Sequence, residues 1–232
     1  MAVQGKAAAM CAVFLAMACT GADTFAQTRQ SDRVPNDSAV AAFAGNAVLP
    51  ADESDAREVL SDRILDGFEA APQRLPLDGG AVIYWGQQYR EGNLQSVVIT
   101  DEKGDIRLMA AVDDVLEIAR GNEPSVSSLQ QHQALVKKKL GGDVPLASVF
   151  VRRPDDLETY LPLLKRWLQA DLLGFNVKCA KGPRMTQACA LATQVNVRIE
   201  AFLICDDPPR ARAIAVPAVA ASTAIPLEAF RM

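Results

Sequence analysis

The 232-residue chain has a single histidine, His132, and only 6% of its residues are aromatic. A Ser–His–Asp or Cys–His nucleophilic centre would have to use that one imidazole as its base, and a zinc site built on several histidines is ruled out. No GxSxG, SxxK or HExxH segment occurs, so serine-hydrolase, penicillin-binding and zinc-protease chemistries lack their motifs. The Gly79-Gly80 and Gly141-Gly142 pairs have neither a following Lys nor GxGxxG spacing, so no phosphate-cradling loop is expected. No CxxC is present, which removes a thioredoxin-type redox centre. Neither a metal nor a cofactor is expected. Net charge is −4, and a protein whose main partner was nucleic acid would need a basic surface.

Long apolar runs are scarce too. The one that stands out, Ala7 to Ala18, follows a short start ending in Lys6 and is twelve residues long. That length suits the core of a signal peptide and is too short to span a bilayer. Thr24-Phe25-Ala26 supplies small residues at the two positions a signal peptidase reads, so residues 1–26 are expected to be a leader cleaved before Gln27. A competing expectation is a membrane-anchored lipoprotein acylated at Cys19. Its signal places Ala16 where Leu is usual, with Leu15 one step early. No later run approaches the length of a span, so the expected location is periplasmic or secreted, with no transmembrane segment.

Cleavage would leave three cysteines: Cys179, Cys189 and Cys205. In an oxidising compartment they are disulfide candidates first and metal ligands a distant second. A Cys179–Cys189 bridge would tie off a basic loop, whereas Cys179–Cys205 or Cys189–Cys205 would staple a helix to a strand.

Half the residues are hydrophobic, enough for a sizeable core. Residues 27–37 are polar and expected to be a flexible linker. A single domain is expected over residues 38–216, with an Ala/Pro-rich arm or added strand over residues 217–232. Ala39 to Leu49 reads as a short helix capped by Asp37 or Ser38. A second helix, Asp52 to Gly67, repeats Leu60, Ile64 and Phe68 at four-residue steps, and Pro72 to Gly80 reads as a loop. The period then changes to two. Residues 81–89, 94–100 and 105–112 form three strands joined by short turns. In the third, Ile106, Leu108, Ala110 and Val112 fall on one face, with Asp105 and Arg107 on the other.

Ser125 to Leu140 reads as a helix ending at Gly141-Gly142. Its three lysines, Lys137 to Lys139, suit the negative end of the helix dipole. Ala147 to Val151 is a strand. A Leu-rich helix follows, with Thr159 as N-cap so that Pro162 falls in the first turn. Val195 to Cys205 alternates strictly, and Ala211 to Val216 returns as its hairpin partner. The expected fold is α+β: an antiparallel sheet, made of a central meander and a C-terminal hairpin, packed by three to four helices.

Charge is unevenly spread. Residues 27–120 carry 9 Lys+Arg against 17 Asp+Glu (−8), and residues 121–232 carry 14 against 10 (+4). The binding candidates are the basic loop with Lys178, Lys181 and Arg184, and the aromatic pair Trp85 and Tyr89 on one strand face. Asp113-Asp114 and Asp155-Asp156 are the carboxylate pairs from which an enzyme acting on an envelope polymer would draw its acid and base. The leading expectation is a non-catalytic binding or accessory protein of the cell envelope with a protein partner. It would be a component of a secretion or transfer apparatus, or an inhibitor or immunity protein. A redox-inactive thioredoxin-like module is a further alternative. It requires the last two strands to pair with the 147–151 strand.

Overall fold

A computed structural model of the protein describes residues 34–49, 58–89, 94–113, 134, 146–173, 175, 179, 182–194 and 197–231. Seven strands form one sheet in chain order: β1 (Ala70–Pro76), β2 (Val82–Gln87), β3 (Leu94–Thr100), β4 (Ile106–Asp113), β5 (Leu146–Val151), β6 (Arg198–Asp206) and β7 (Pro209–Ile214). The helices whose bounds lie among the described residues are α1 (Asp37–Ala44), α2 (Leu60–Asp66), α3 (Pro154–Asp171) and α4 (Pro183–Ala192), with a 3₁₀ turn at Leu227–Phe230. The architecture is α+β, with the meander at β2–β4 and the C-terminal hairpin at β6–β7.

Two features of the sheet differ from expectation. It is not wholly antiparallel, because β5 and β6 pair in parallel from Leu146↔Arg198 to Val151↔Leu203. Parallel neighbours cannot be joined by a tight turn, and the crossover here carries α3 and α4. The segment read as a loop from Pro72 contains most of β1, which pairs with β2 through Gln73↔Trp85 and Pro76↔Val82, with a register shift between Ala70 and Gln73. Two prolines make this stretch look like a loop. On the outer strand of a sheet, however, a missing N–H can face away from the ladder.

Both faces of the sheet are covered. On one, Leu108, Ala110, Val112, Val149 and Ala201 pack with Leu157, Leu161, Leu164 and Trp167 of α3. On the other, Val98, Met109, Ala111, Phe150 and Phe202 pack with Val40 and Phe43 of α1 and Leu60 and Ile64 of α2. This explains why β3 is buried along its whole length. The expected alternation of β4 fails at Ile106, which packs on the α1/α2 side. An irregularity pairs Ile99 with Leu108 but Thr100 with Ile106, so the strand gains a residue and Ile106 changes face.

The helix termini also depart from expectation. The cap of α1 is Asn36, whose Oδ1 accepts from the N–H groups of Ser38 (2.9 Å) and Ala39 (3.3 Å). The helix stops at Gly45 (φ 58) and does not continue to Leu49. Gly67 closes α2 as expected, but the helix expected from Asp52 starts only at Leu60, because Val59 is extended and bridges Val48; Asp52, Glu53 and Asp55 lie outside the described residues. α3 starts at Pro154, not after Thr159. Proline suits the first helical position, where no donor is lost, and the Thr159 hydroxyl donates to the carbonyl of Asp155 (2.9 Å) within the helix. Pro162 is therefore interior. It cannot donate to Glu158, and the buried row of Leu157, Leu161, Leu164 and Leu168 holds the helix across that gap. The predicted helix at 125–140 lies outside the described residues apart from Ala134, which is helical.

The C-terminal tail adds no strand. It crosses α3, and its Leu227 and Phe230 are buried. The Ser222 N–H donates to the carbonyl of Pro162 (2.9 Å). Lys165 Nζ donates to the carbonyl of Val219 (2.8 Å), and Arg166 Nε to that of Ile225 (2.7 Å). No helix among the described residues is long and apolar enough to cross a membrane.

Candidate functional site

Cys179 and Cys189 are bonded to each other with Cα atoms 5.8 Å apart, and Cys205 is free. The two staples through Cys205 are thus excluded. β6 carries Cys205 to its hairpin end, seven residues from Arg198 and roughly 23 Å along the strand at 3.3 Å per residue. The bridge does not close a loop. Most of the segment between the cysteines is α4, which Gly182 (φ 85) and Pro183 initiate, with the Thr186 hydroxyl donating to the carbonyl of Cys179 (2.8 Å). The bridge ties the helix to the segment before it. Lys178 and Lys181 lie outside the described residues, and Arg184 is the second residue of α4.

Trp85 and Tyr89 form no shared platform. Trp85 is 3% exposed, stacked 6.0 Å from Phe175 and edge-on to Phe230 at 5.9 Å. Tyr89 lies beyond the end of β2 and is 64% exposed, its backbone N–H donating to Glu69 Oε2 (3.1 Å). A strand buried on both faces brings its tryptophan into the core. The same layer holds a polar pair that periodicity does not reveal. Gln95 Nε2 donates to Oδ1 of Asp171 (3.0 Å), which is 1% exposed.

The described carboxylates of the proposed pairs stand in structural contacts. Asp113 forms an ion pair with Arg63, which also holds Glu58 at 2.9 Å. Asp155 lies 3.6 Å from Arg153 in solvent, and Asp156 is buried in the first turn of α3. Asp114, His132 and Lys137–Lys139 lie outside the described residues, as does Cys19. A charge cluster sits at the β3–β4 turn, where Asp101 accepts from Arg107 Nε (2.8 Å) and from the N–H groups of Lys103 (2.9 Å) and Asp105 (3.0 Å). Burial alone would raise the pKa of Asp101, but these hydrogen bonds outweigh it and hold the carboxyl below its ordinary range. Tyr160 nearby is raised, by burial first and by the Asp101 charge second. No group of three or more His, Cys, Asp or Glu among the described residues could hold a metal ion.

The described surface carries two further features. The first is a cleft of about 400 Å³ between α3, the start of β6 and the tail. Leu168, Leu172, Val197 and Ile199 line it, with Lys165, Gln169 and Thr193 as its polar side chains. The second is the outer edge of β7, where Arg210 and Arg212 are exposed. Both were hidden in the sequence. The cleft depends on where a tail without periodicity lies, and the edge depends on which strand is last in the sheet. No family model, curated protein or solved structure matches the chain.

Proposed function

We propose that the protein is exported and acts in the cell envelope as a binding or accessory protein, either within a secretion or transfer apparatus or as an inhibitor or immunity protein. One observation carries the reading. The cleft is lined mainly by aliphatic side chains, and its one titratable side chain, Lys165, already donates to the tail. Its volume falls in the range of ligand sites, yet what it offers is contact, not proton transfer. Export is supported by the leader pattern of residues 1–26 and by the Cys179–Cys189 bridge, since such bonds persist in oxidising compartments.

Affinity capture of the tagged mature protein from envelope extracts tests this. A stoichiometric partner is expected, with Cys179 and Cys189 resistant to alkylation. Turnover of a cell-wall polymer by the purified protein, abolished by one Asp or Glu substitution, would overturn it in favour of a carboxylate enzyme. The basic segment belongs to the proposal through Lys178, Lys181 and Arg184. Unchanged capture by Lys181→Glu with Arg184→Glu removes it. The thioredoxin-like alternative requires both last strands to pair with the 147–151 strand, and of the two only β6 does so, while β7 pairs with β6.

A further inference from the structure

The two outer strands of the sheet are unlike. β1 carries Pro72 and Pro76 and a register shift between Ala70 and Gln73. Both devices spoil an edge as a template for another strand. β7 has a proline only at its first position, Pro209. It runs in unbroken register against β6 from Asp206↔Pro209 to Ala201↔Ile214, and no further strand joins its other side among the described residues. Every second residue of such a strand turns its N–H and C=O outward.

The side chains of β7 give this edge a sign. Arg210 and Arg212 stand opposite Cys205 and Leu203. Both are exposed, and neither guanidinium has a hydrogen bond or ion pair among the described residues. The acids nearest in sequence are Asp206, which Arg152 holds at 2.9 Å, and Asp207 in the turn. Charged side chains on an edge guard against indiscriminate pairing, but a guard of one sign is selective. A second copy of β7 would bring arginines against arginines. A strand with acidic residues at alternate positions would meet them as cross-strand ion pairs while its backbone extends the ladder.

We propose that β7 is a docking edge for an extended acidic segment of a protein partner, which adds to the sheet as an eighth strand beside Arg210 and Arg212. The inference rests on the binding reading above and specifies the chemistry of its partner. Specificity follows from charge, and affinity from main-chain hydrogen bonds that a straight, proline-poor edge can make.

The test uses three labelled peptides of about ten residues, the length of a long strand: alternating Val/Glu, alternating Val/Lys and alternating Pro/Glu. Anisotropy titrations of the mature protein at low salt are expected to show the Val/Glu peptide binding roughly tenfold or more tighter than either control, weakening as salt rises. Amide exchange should slow on β7 and not on β1. Arg210→Glu with Arg212→Glu, both surface changes that leave the core intact, should switch the preference to Val/Lys. Equal binding of Val/Glu and Pro/Glu would reduce the effect to charge alone and overturn strand addition. So would no binding, protection confined to another element, or a preference that survives the charge reversal. In envelope capture, a partner retained by the charge-reversed protein sinks this inference and spares the binding reading, whereas no partner with either protein sinks both.

Discussion

On one face of the sheet, α1 and α2 both precede the first strand and cover residues as distant in the chain as Phe150 and Phe202. On the other, α3 and α4 leave the core open until residues 215–231 cross α3 and insert Leu227 and Phe230. The first face closes by close approach of backbone. A Cβ on Gly67 would lie 2.1 Å from Ser96 Oγ, and one on Gly86 would lie 2.8 Å from the Gly67 carbonyl oxygen, so α2 ends against β2 and β3 with no room for a side chain. The second face closes by large side chains and by donors from α3 to tail carbonyls. The lid on the first face meets the strands closely at these glycines, and the strap on the second leaves the cleft beside it.

The largest effect that would break this contrast is expected from Phe230→Ala. The ring is fully buried against Trp85, and its removal should cost about 3–5 kcal/mol in urea unfolding. A loss below about 1 kcal/mol would mean that the tail is not part of the core. Replacing both Cys179 and Cys189 by Ser comes next, on the same face. A bridge with a sequence separation of 10 restrains the unfolded chain by roughly 3 kcal/mol in the loop-entropy model, and reduction of the native protein should give the same shift. On the opposite face, Gly67→Ala should cost about 1–3 kcal/mol by forcing α2 off β3. Added to Phe230→Ala it should sum to within roughly 0.5 kcal/mol if the two faces are independent, and a larger coupling would show that β2 transmits strain between them.

The smallest effect sharpens the contrast by locating an interaction that belongs to a turn and to neither lid. The folded pKa of Asp101 lies below the unfolded value of about 3.9. Its contribution is therefore present above that pH and lost as pH falls through the folded value. Asp101→Asn should unfold at lower urea than the parent protein at pH 7, and the two midpoints should converge in strong acid. A gap that persists there would mean that the carboxylate charge is not what stabilises the turn.

Much of this was legible in the sequence. Leu60, Ile64 and Phe68, the stripe from Leu157 to Leu172 and the meander strands are all found where their periodicity places them, because period reports which residues must leave water. The misreadings have a common cause. β1 looked like a loop because of Pro72 and Pro76, which only an edge position tolerates. Thr159 looked like a cap because Pro162 seemed unable to sit inside a helix, which the surrounding leucines permit. Trp85 was a binding candidate only as the lesser reading, since both faces of its strand are apolar, and its burial bears out the central-strand reading. Each error concerns what lies across from a residue, not what the residue is.

By itself the sequence determined the α+β class, the core stripes of α2 and α3, the meander and hairpin, and the shortage of histidine that narrows the available chemistry. These follow from composition and from periods of two and 3.6, which act within a segment. The tertiary structure alone decided that β5 and β6 run parallel, that Cys179 bonds to Cys189, that the tail straps α3, and that, among the described residues, β7 ends the sheet with Arg210 and Arg212 unpaired. Those outcomes depend on contacts between residues far apart in the chain, which are chosen by how whole elements share one core.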